Sequence, residues 1–305
     1  MTPLHRLLVP VDGSETSNCA VDFSIGLAKY AAADIVFCHS VQRAGANLGA
    51  TRQFHEDQSQ AYLGDALGRA RAAGVDAISR VAFGPPVAAI VETLFEYSAD
   101  AVVMGTHGRG AAHRSYLGST AEGVLRRADV PVFVVPAGAH NRHTDGSAFD
   151  CIEVAFDASG PAQAALEMAF DLAAPGTTNV LISHVLDIQQ RYRVGASSSP
   201  QPLGSIDGRE AARTSIVEAA ERAHAIGIAA KGVLLDGSPS RRVLQLARSL
   251  GADLIAIGSC GCPERERFLH DGVAEQVLRR ASMPVLVVPV SVAHAPAAPL
   301  AQLAR

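Results

Sequence analysis

The fold of this chain is decided around residues 101–127, which read AVVMGTHGRGAAHRSYLGSTAEGVLRR. The apolar run at the start predicts a strand, the glycine-rich part a loop, and the end a helix. Glycines let main-chain N–H groups come close to a ligand. Ser119 and Thr120 add hydroxyls where the helix begins, and its dipole and unpaired N–H groups favour an anion there. A lone Gly-x-x-Gly is more often a capped surface loop, but the full spacing predicts a phosphate cradle.

Apolar runs alternate with helical periodicity through the first half of the chain. The predicted strands are residues 7–11, 35–41, 77–83, 101–104 and 131–136. Helices are predicted after the first strand and at about 56–73, 87–97 and 120–127, with a polar, glycine-rich loop at 42–55. This alternation predicts a mostly parallel sheet with helices on both faces. Ligands bind beyond the carboxyl ends of such strands, so we expect Asp12 and Gly105 at one rim.

The second half of the chain repeats this pattern in the same order and spacing. Residues 151–157 repeat the first strand with Asp12, and residues 180–185 repeat the second strand. Residues 237–239 repeat the Gly84-Pro85 turn, 252–258 repeat residues 99–105, and 283–289 repeat the fifth strand. We interpret this as a tandem duplication with domains at 1–140 and 150–292. The segment between them is rich in glycine, histidine, asparagine and serine, which is typical of a linker.

Length and composition are typical of a soluble protein with two domains. The chain has 305 residues, of which 48% are hydrophobic and 18% charged. No apolar run approaches the roughly 18 residues of a membrane span. The N-terminus leads directly into a strand, so we expect a cytoplasmic protein without a membrane partner. A formal net charge of -4 argues against nucleic-acid binding, which needs a concentrated basic face.

The cysteines and lysines argue against a metal site and against a Walker-type phosphate loop. An odd number of cysteines, five in this long chain, favours reduced thiols. Cys260 and Cys262 with His270 could form part of a metal site, but a second ligand pair is missing, so we expect no metal there. No Gly-Lys-Ser/Thr occurs, which excludes a Walker-type phosphate loop.

Taken together, these motifs resemble the universal stress protein family, and specifically its tandem two-domain members. The family signature is Gly-x2-Gly-x9-Gly-Ser/Thr after the fourth strand, with an aspartate after the first strand. Here the signature corresponds to Gly105, Gly108, Gly118 and Ser119, with Asp12 after the first strand. The resemblance covers nearly the whole chain, once in each half.

The resemblance implies two α/β domains of the Rossmann-like, adenine nucleotide alpha hydrolase-like type, each a five-stranded parallel sheet of order 3-2-1-4-5. It also implies ATP binding in the first domain, with Mg²⁺ accompanying the triphosphate. By resemblance, Asp12 meets the adenine, the main chain of Val41 helps to fix the base, and Arg109 adds positive charge. The ribose and phosphates would be held by Gly105, His107, Gly108, Gly118, Ser119 and Thr120. Pro10, Val11 and Met104, which end the first and fourth strands, complete the predicted site.

The second copy departs from the signature. Gly258 and Gly261 keep its first half, but Asp271-Gly272 stands where Gly-Ser is expected. A carboxylate beside phosphates is repulsive unless a metal bridges them. Asp157 is retained, so adenosine or AMP could still fit, or this site could be empty. We therefore predict ATP in the first domain and a degenerate second site.

The fifth strands are expected to pair with one another. In the family these strands form the dimer contact, and a tandem chain can satisfy that contact internally. An apolar edge left open would favour aggregation. We therefore expect residues 132–135 to pair with 285–288, and association into a homodimer is left open.

Three functions are compatible with the sequence. The favoured one is a nucleotide-dependent regulator of the stress response, in which ATP occupancy changes shape or partners. The second is a slow ATPase, for which His107, His113 and Arg114 lie in the relevant loop, although no Ser-His-Asp or paired-carboxylate arrangement is readable. The third is a ligand-free scaffold or chaperone-like protein.

Overall fold

The computed structural model describes residues 4–41, 49–108, 117–139, 148–187, 206–259 and 272–289, with the backbone alone at 49–56 and 206–207. The described residues group into two compact units, the first ending at 139 and the second beginning at 148. The predicted domain limits of 1–140 and 150–292 and the pairing of the fifth strands stay predictions.

The first unit alternates strands with helices from its first strand to its last. Its elements are β1 (Arg6–Pro10), α1 (Glu15–Ala31), β2 (Asp34–Val41), α2 (Gly49–Ala72), β3 (Ala77–Phe83), α3 (Pro86–Glu96), β4 (Ala101–Gly105), α4 (Ser119–Leu125) and β5 (Val132–Val135). The predicted strands are confirmed, and the apolar runs of β1, β2, β4 and β5 are largely buried, whereas the edge strand β3 is partly exposed. Helix α2 begins at Gly49, whereas the sequence predicted a loop up to His55. The residues there are polar and carry no apolar periodicity, which hid the start of the helix.

The sheet of the first unit has the order β3-β2-β1-β4-β5, as the family resemblance implied. All of its described pairings are parallel, with Leu7 opposite Ile35 in β2 and opposite Ala101 in β4. The order reverses between β1 and β4, so the loops after these two strands leave the same rim side by side. The fold thereby brings Asp12 and Gly105 together.

The second unit has the same architecture. Its elements are β6 (Cys151–Ala155), α5 (Gly160–Leu172), β7 (Asn179–Leu186), α6 (Ile206–Ala225), β8 (Ala229–Asp236), α7 (Pro239–Leu250), β9 (Leu254–Gly258), α8 (Val273–Arg280) and β10 (Val285–Val288). The strand order is β8-β7-β6-β9-β10, again with parallel pairings. The prediction of two tandem Rossmann-like sheets is confirmed. Among the described residues, no helix combines the length and apolarity of a membrane span.

A buried polar cluster holds the amino ends of the central strands in the first unit. The Arg6 guanidinium, 1% exposed, donates to Asp34 Oδ2 at 3.0 Å and to the Tyr97 carbonyl at 2.9 Å. Asp100 Oδ2 accepts the main-chain N–H groups of His5 and Arg6, each at 2.7 Å. Such charge-assisted hydrogen bonds fix the registration of β1 against its neighbours.

Candidate functional site

A cavity of about 580 Å³ opens at the carboxyl ends of β1, β2 and β4 in the first unit. Its lining consists of Pro10, Val11, Asp12, Ser14, Ser17, Cys38, His39, Ser40, Pro86, Ile90, Met104, Gly105, His107, Gly108, Gly118, Ser119, Thr120 and Ala121. Ten of the twelve residues named from the sequence therefore meet in one place. Of the other two, Arg109 lies outside the described residues, and Val41 is not part of the lining.

The loop after β1 holds Asp12 at the rim. Asp12 Oδ1 accepts the N–H of Ser14 at 2.9 Å, and the N–H of Asp12 donates to Ser17 Oγ at 3.1 Å. Ser14 in turn caps helix α1 by accepting the N–H of Ser17. An aspartate that bonds the main chain two residues on forms a compact turn. This turn and the helix cap together keep the carboxylate beside the cavity.

The signature glycines are required by close packing within the protein itself. A Cβ atom at Gly105 would lie 2.6 Å from Thr16 Oγ1, and one at Gly108 would lie 2.5 Å from Asp12 Oδ2. A Cβ atom at Gly118 would lie 3.1 Å from the Cα atom of His107. A side chain at Gly105 or Gly108 would push the segment after β4 away from Thr16 and Asp12, and one at Gly118 would crowd His107. The glycines therefore bring two backbone segments against one another at the cavity rim.

Hydrogen bonds hold the described ends of the loop after β4, which precede and follow residues 109–116 in the sequence. The N–H of Gly118 donates to the Thr106 carbonyl at 2.7 Å. The Thr16 hydroxyl donates to the His107 carbonyl, and the Thr106 hydroxyl shares a hydrogen bond with His107 Nδ1 at 2.9 Å. These contacts place His107 and the start of α4 on one wall of the cavity.

Strand β2 contributes a wall that sequence reasoning missed. His39 Nδ1 donates to the Val11 carbonyl at 2.6 Å, and its ring meets Tyr62 edge-on at 5.6 Å between centroids. Burial raises the pKa of the neighbouring Cys38 thiol to about 12, so this sulfur is neutral and apolar in character. The signal that could have found these residues is their position at the carboxyl end of a strand next to β1.

Val41 lies one residue beyond this wall. Its carbonyl accepts the N–H of Gly84 at 3.0 Å, and the residue pairs with Phe83 in β3. The strand reaches the cavity through Cys38, His39 and Ser40 instead. A main-chain role of Val41 in ligand binding stays a prediction.

The second unit has a cavity of about 450 Å³ at the corresponding strand ends. It is lined by Ala155, Phe156, Asp157, Ser159, Pro161, Ala162, Ser183, His184, Val185, Leu186, Asp187, Pro239, Val243, Ile257, Gly258, Gly272, Val273 and Ala274. The turn at Asp157 repeats that at Asp12, since Asp157 Oδ1 accepts the N–H of Ser159 at 3.0 Å. Gly258 also repeats Gly105, because a Cβ atom there would collide with Pro161.

The part of the second cavity next to α8 differs from its counterpart. Aligning the common Val-Leu-Arg-Arg sequence of α4 and α8 puts Gly272 at the position of Ser119 and Val273 at that of Thr120. Pro161 stands where the first unit has Thr16. Three hydroxyl groups of the first unit are thus replaced by groups that offer no side-chain hydrogen bond.

A buried carboxyl group lies beneath the second cavity. Glu153, in the middle of β6, is 0% exposed and stands where β1 has Leu8. Its Oε1 accepts the hydroxyl of Ser183, a cavity residue, at 3.0 Å, while Oε2 has no hydrogen-bond partner among the described residues. Burial raises the pKa of Glu153 to about 8, although the Ser183 hydroxyl and the main chain at Ala247 oppose the shift.

The histidine of β7 also differs from its counterpart in β2. His184 occupies the position of His39, but its buried Nδ1 atom has no hydrogen-bond partner in the described part of the chain. Burial lowers the pKa of His184, and the nearby carboxylate of Asp157 opposes this shift. The ring is therefore neutral at physiological pH.

Comparison with known proteins identifies relatives of the whole chain. The sequence pattern of the universal stress protein family matches residues 3–136 and 149–289. A universal stress protein of Mycobacterium tuberculosis is 26% identical over 302 residues, covering 93% of this chain and 96% of its own. A universal stress protein of Methanocaldococcus jannaschii is 30% identical over 137 residues, covering 45% of this chain and 80% of its own.

A solved structure shares the fold of the whole chain. The crystal structure of a universal stress protein from Archaeoglobus fulgidus DSM 4304 superimposes with a TM-score of 0.72 and 24% identity. The match covers 94% of this chain and 97% of the other. Both copies of the duplicated fold are therefore present in a known protein of similar length.

Proposed function

The chain belongs to the universal stress protein family, and we propose that its first unit binds ATP and that this occupancy regulates the protein in the stress response. Mg²⁺ would enter together with the triphosphate, as it normally does. The second unit would not bind ATP. The protein would act through binding, with its shape or its partners depending on the nucleotide.

A single observation carries this proposal, namely the cavity of the first unit. It combines a rim carboxylate at Asp12, a backbone cradle at Gly105 and Gly108, and two hydroxyls at Ser119 and Thr120. Its volume of about 580 Å³ is within the range of small-molecule sites. The three signature glycines leave no room for side chains, so main-chain groups border the cavity there.

The chemistry of the lining fits a nucleotide. A carboxylate accepts hydrogen bonds from the amino or hydroxyl groups of a nucleoside, and Asp12 would serve in this role. Main-chain N–H groups and hydroxyls at Gly108, Ser119 and Thr120 would donate to phosphate oxygens. The apolar side chains of Ile90 and Met104 would cover the faces of the base.

A slow ATPase is the competing function. His107 lines the cavity, but its Nδ1 atom is engaged by the Thr106 hydroxyl, and the Thr16 hydroxyl binds its carbonyl. Hydrolysis needs a group that orients water beside the γ-phosphate. A histidine held in this way is better suited to a fixed wall contact, which favours binding.

Calorimetric titration of the full chain with ATP and Mg²⁺ tests the proposal. We expect one ATP per chain, and we expect Asp12→Asn to weaken binding by about 10- to 100-fold, the range for a hydrogen bond to a charged group. Asp157→Asn is the matched control and should leave ATP affinity unchanged. Circular dichroism would check that both variants are folded. Unchanged ATP affinity in Asp12→Asn would contradict the proposal.

Analysis of bound nucleotide separates the alternatives. Mass spectrometry of the purified chain and of an hour-long incubation with ATP would measure the nucleotide and its conversion. Intact ATP supports a binding protein. ADP that accumulates, and does so more slowly in Arg109→Ala, would identify a slow ATPase. No nucleotide and no measurable affinity would leave the ligand-free scaffold.

A further inference from the structure

The second cavity keeps the aspartate turn of the first cavity but loses hydroxyl groups on both of its sides. The half near β6 and β7 retains the Asp157 turn, the ring of His184 and the close approach of Gly258. The half near α8 carries Gly272 and Val273 in place of two hydroxyls. In the first unit, the proposed function assigns these two halves to the nucleoside and to the phosphates. The half near β6 and β7 also has Ala162 and Val185 where the first cavity has Ser17 and Ser40, but in the half near α8 both hydroxyls are lost.

The charges of the lining also disfavour an anion. Among the described residues that border this cavity, the carboxylates of Asp157 and Asp187 are present and no lysine or arginine is. Within the described lining a phosphate would therefore meet two carboxylates, whereas the described lining of the first cavity has one, Asp12. An uncharged ligand incurs no such penalty.

The hydroxyl of Ser183 shows which hydrogen bonds such a ligand has to offer. Ser183 is 1% exposed and borders the cavity, and its hydroxyl donates to Glu153 Oε1 at 3.0 Å with the Val154 carbonyl at 3.4 Å. Both partners are acceptors that lie within the protein, so the single hydroxyl proton points away from the cavity. Together with Asp157, this gives the cavity two acceptors, which match the hydroxyl and amino donors of a nucleoside.

We propose that the second cavity binds an unphosphorylated ribonucleoside and discriminates against its phosphates, because the turn at Asp157 is retained while Gly272 and Val273 replace the phosphate contacts. This inference rests on the proposed function of the first unit. It assigns a second, chemically different ligand site to the same chain. The first cavity would then bind the triphosphate and the second cavity the nucleoside, independently of one another.

Adenosine is the probe for a direct test. Full-length protein is first saturated with ATP and Mg²⁺ and then titrated with adenosine in a calorimeter. We expect one further equivalent of adenosine to bind. Asp157→Asn should remove this binding and Asp12→Asn, at the same ATP concentration, should not. Asp157 is exposed and the change keeps its shape, so the fold is retained.

Competition with AMP tests the discrimination. We expect AMP to bind the second cavity at least about tenfold more weakly than adenosine, as one unfavourable charge contact implies. The double change Gly272→Ser with Val273→Thr should bring the affinities for AMP and adenosine closer together. The backbone at Gly272 has φ -72°, which any residue adopts, so serine causes no strain there. The matched pair Ser119→Gly with Thr120→Val should weaken ATP binding in the first cavity.

The outcomes distinguish this inference from the proposed function. ATP binding at one equivalent without any adenosine binding to the saturated chain would overturn the inference alone. Two equivalents of ATP would also overturn it. Adenosine binding that is lost in Asp12→Asn rather than in Asp157→Asn would mean that adenosine displaces ATP, and would again count against it. No ATP binding with adenosine bound through Asp157 would overturn the proposed function and leave the second site standing.

Discussion

Replacing Glu153 with glutamine should remove a pH dependence from the stability of the second unit. The carboxyl group is fully buried, and its only described side-chain partner is the neutral hydroxyl of Ser183. Burial without a cation favours the neutral acid, and the pKa rises to about 8 from an ordinary value of 4.5. Glutamine has nearly the same shape and cannot ionise.

The sign and size of the effect follow from linkage. Between about pH 4.5 and 8 the folded unit holds a proton that the unfolded chain has released, so the free energy of unfolding falls as the pH rises. The contribution is fully present below pH 4.5 and is lost as the pH rises to about 8. The slope is about 1.4 kcal/mol per pH unit, which amounts to about 5 kcal/mol over the whole interval. Glu153→Gln should show none of this component.

Native-state hydrogen exchange followed by mass spectrometry is the assay, because it resolves the two units of one chain. The free energy of opening is obtained from amides of β6 at several pH values after correction for intrinsic exchange. Amides of β1, where Leu8 occupies the same position, are the internal control. We expect the difference in the free energy of opening between Glu153→Gln and the native chain to grow with pH for amides of β6 and to stay constant for amides of β1.

One result would refute the argument. If the difference in opening free energy between the native chain and Glu153→Gln is the same at pH 5 and pH 8, the carboxyl group does not titrate in this interval. Glu153→Leu provides an independent check, since leucine fits the corresponding site in β1. It should stabilise the second unit more at pH 8 than at pH 5.

Three further predictions concern Gly105, Arg6 and Cys38. Gly105→Ala should lower the free energy of unfolding by about 1–3 kcal/mol, because its methyl group would overlap Thr16, as thermal unfolding would measure. The control Gly68→Ala, in an open helix position, should instead raise stability by about 0.5–1 kcal/mol. Arg6→Ala should cost about 3 kcal/mol in urea unfolding, because it breaks a buried charged cluster. Cys38 should resist iodoacetamide at pH 7.5 in the folded chain, with about one thiol in 3 × 10⁴ ionised, and react once urea unfolds it. Rapid native labelling of Cys38, mapped by mass spectrometry, would contradict its burial.

The central strands were predictable from the sequence because strands buried on both faces leave long apolar runs. The position of Asp12 and Gly105 at one rim of the sheet could also be predicted from the sequence, because both residues come directly after apolar runs. The strand order came from the family resemblance, because periodicity does not tell which strands are neighbours. The predicted start of α2 was wrong by several residues, because the sequence of a polar helix without an apolar stripe resembles that of a loop.

Parts of the site were hidden because they depend on contacts between distant segments. His39 and Ser40 border the first cavity only because β2 lies beside β1 in the sheet. Glu153 interrupts an otherwise apolar strand, and the sequence alone does not reveal that the residue is fully buried. The partnership with Ser183 could be recognised only after β6 and β7 were in register.

Two of the differences between the units are exchanges of contacting pairs of residues. Where β1 and β2 have Leu8 and Cys38, β6 and β7 have Glu153 and Ser183, which bond to one another. A second such exchange concerns the helices. A Cβ atom at Gly123 would lie 2.6 Å from Val87 Cγ2, whereas the second unit has Gln276 and Ser240 at these positions, joined at 2.8 Å.

A buried polar group is costly unless it has a partner, so each of these polar residues depends on the other member of its pair. Random loss of a binding function would remove contacts at the cavity rim without adding hydrogen-bonded polar pairs beneath it. In the second unit, one pair ends at Ser183 in the cavity wall, and the other joins the two helices, α7 and α8, that border the same cavity. The second cavity is therefore built on its own set of internal contacts, as a site for a different ligand requires.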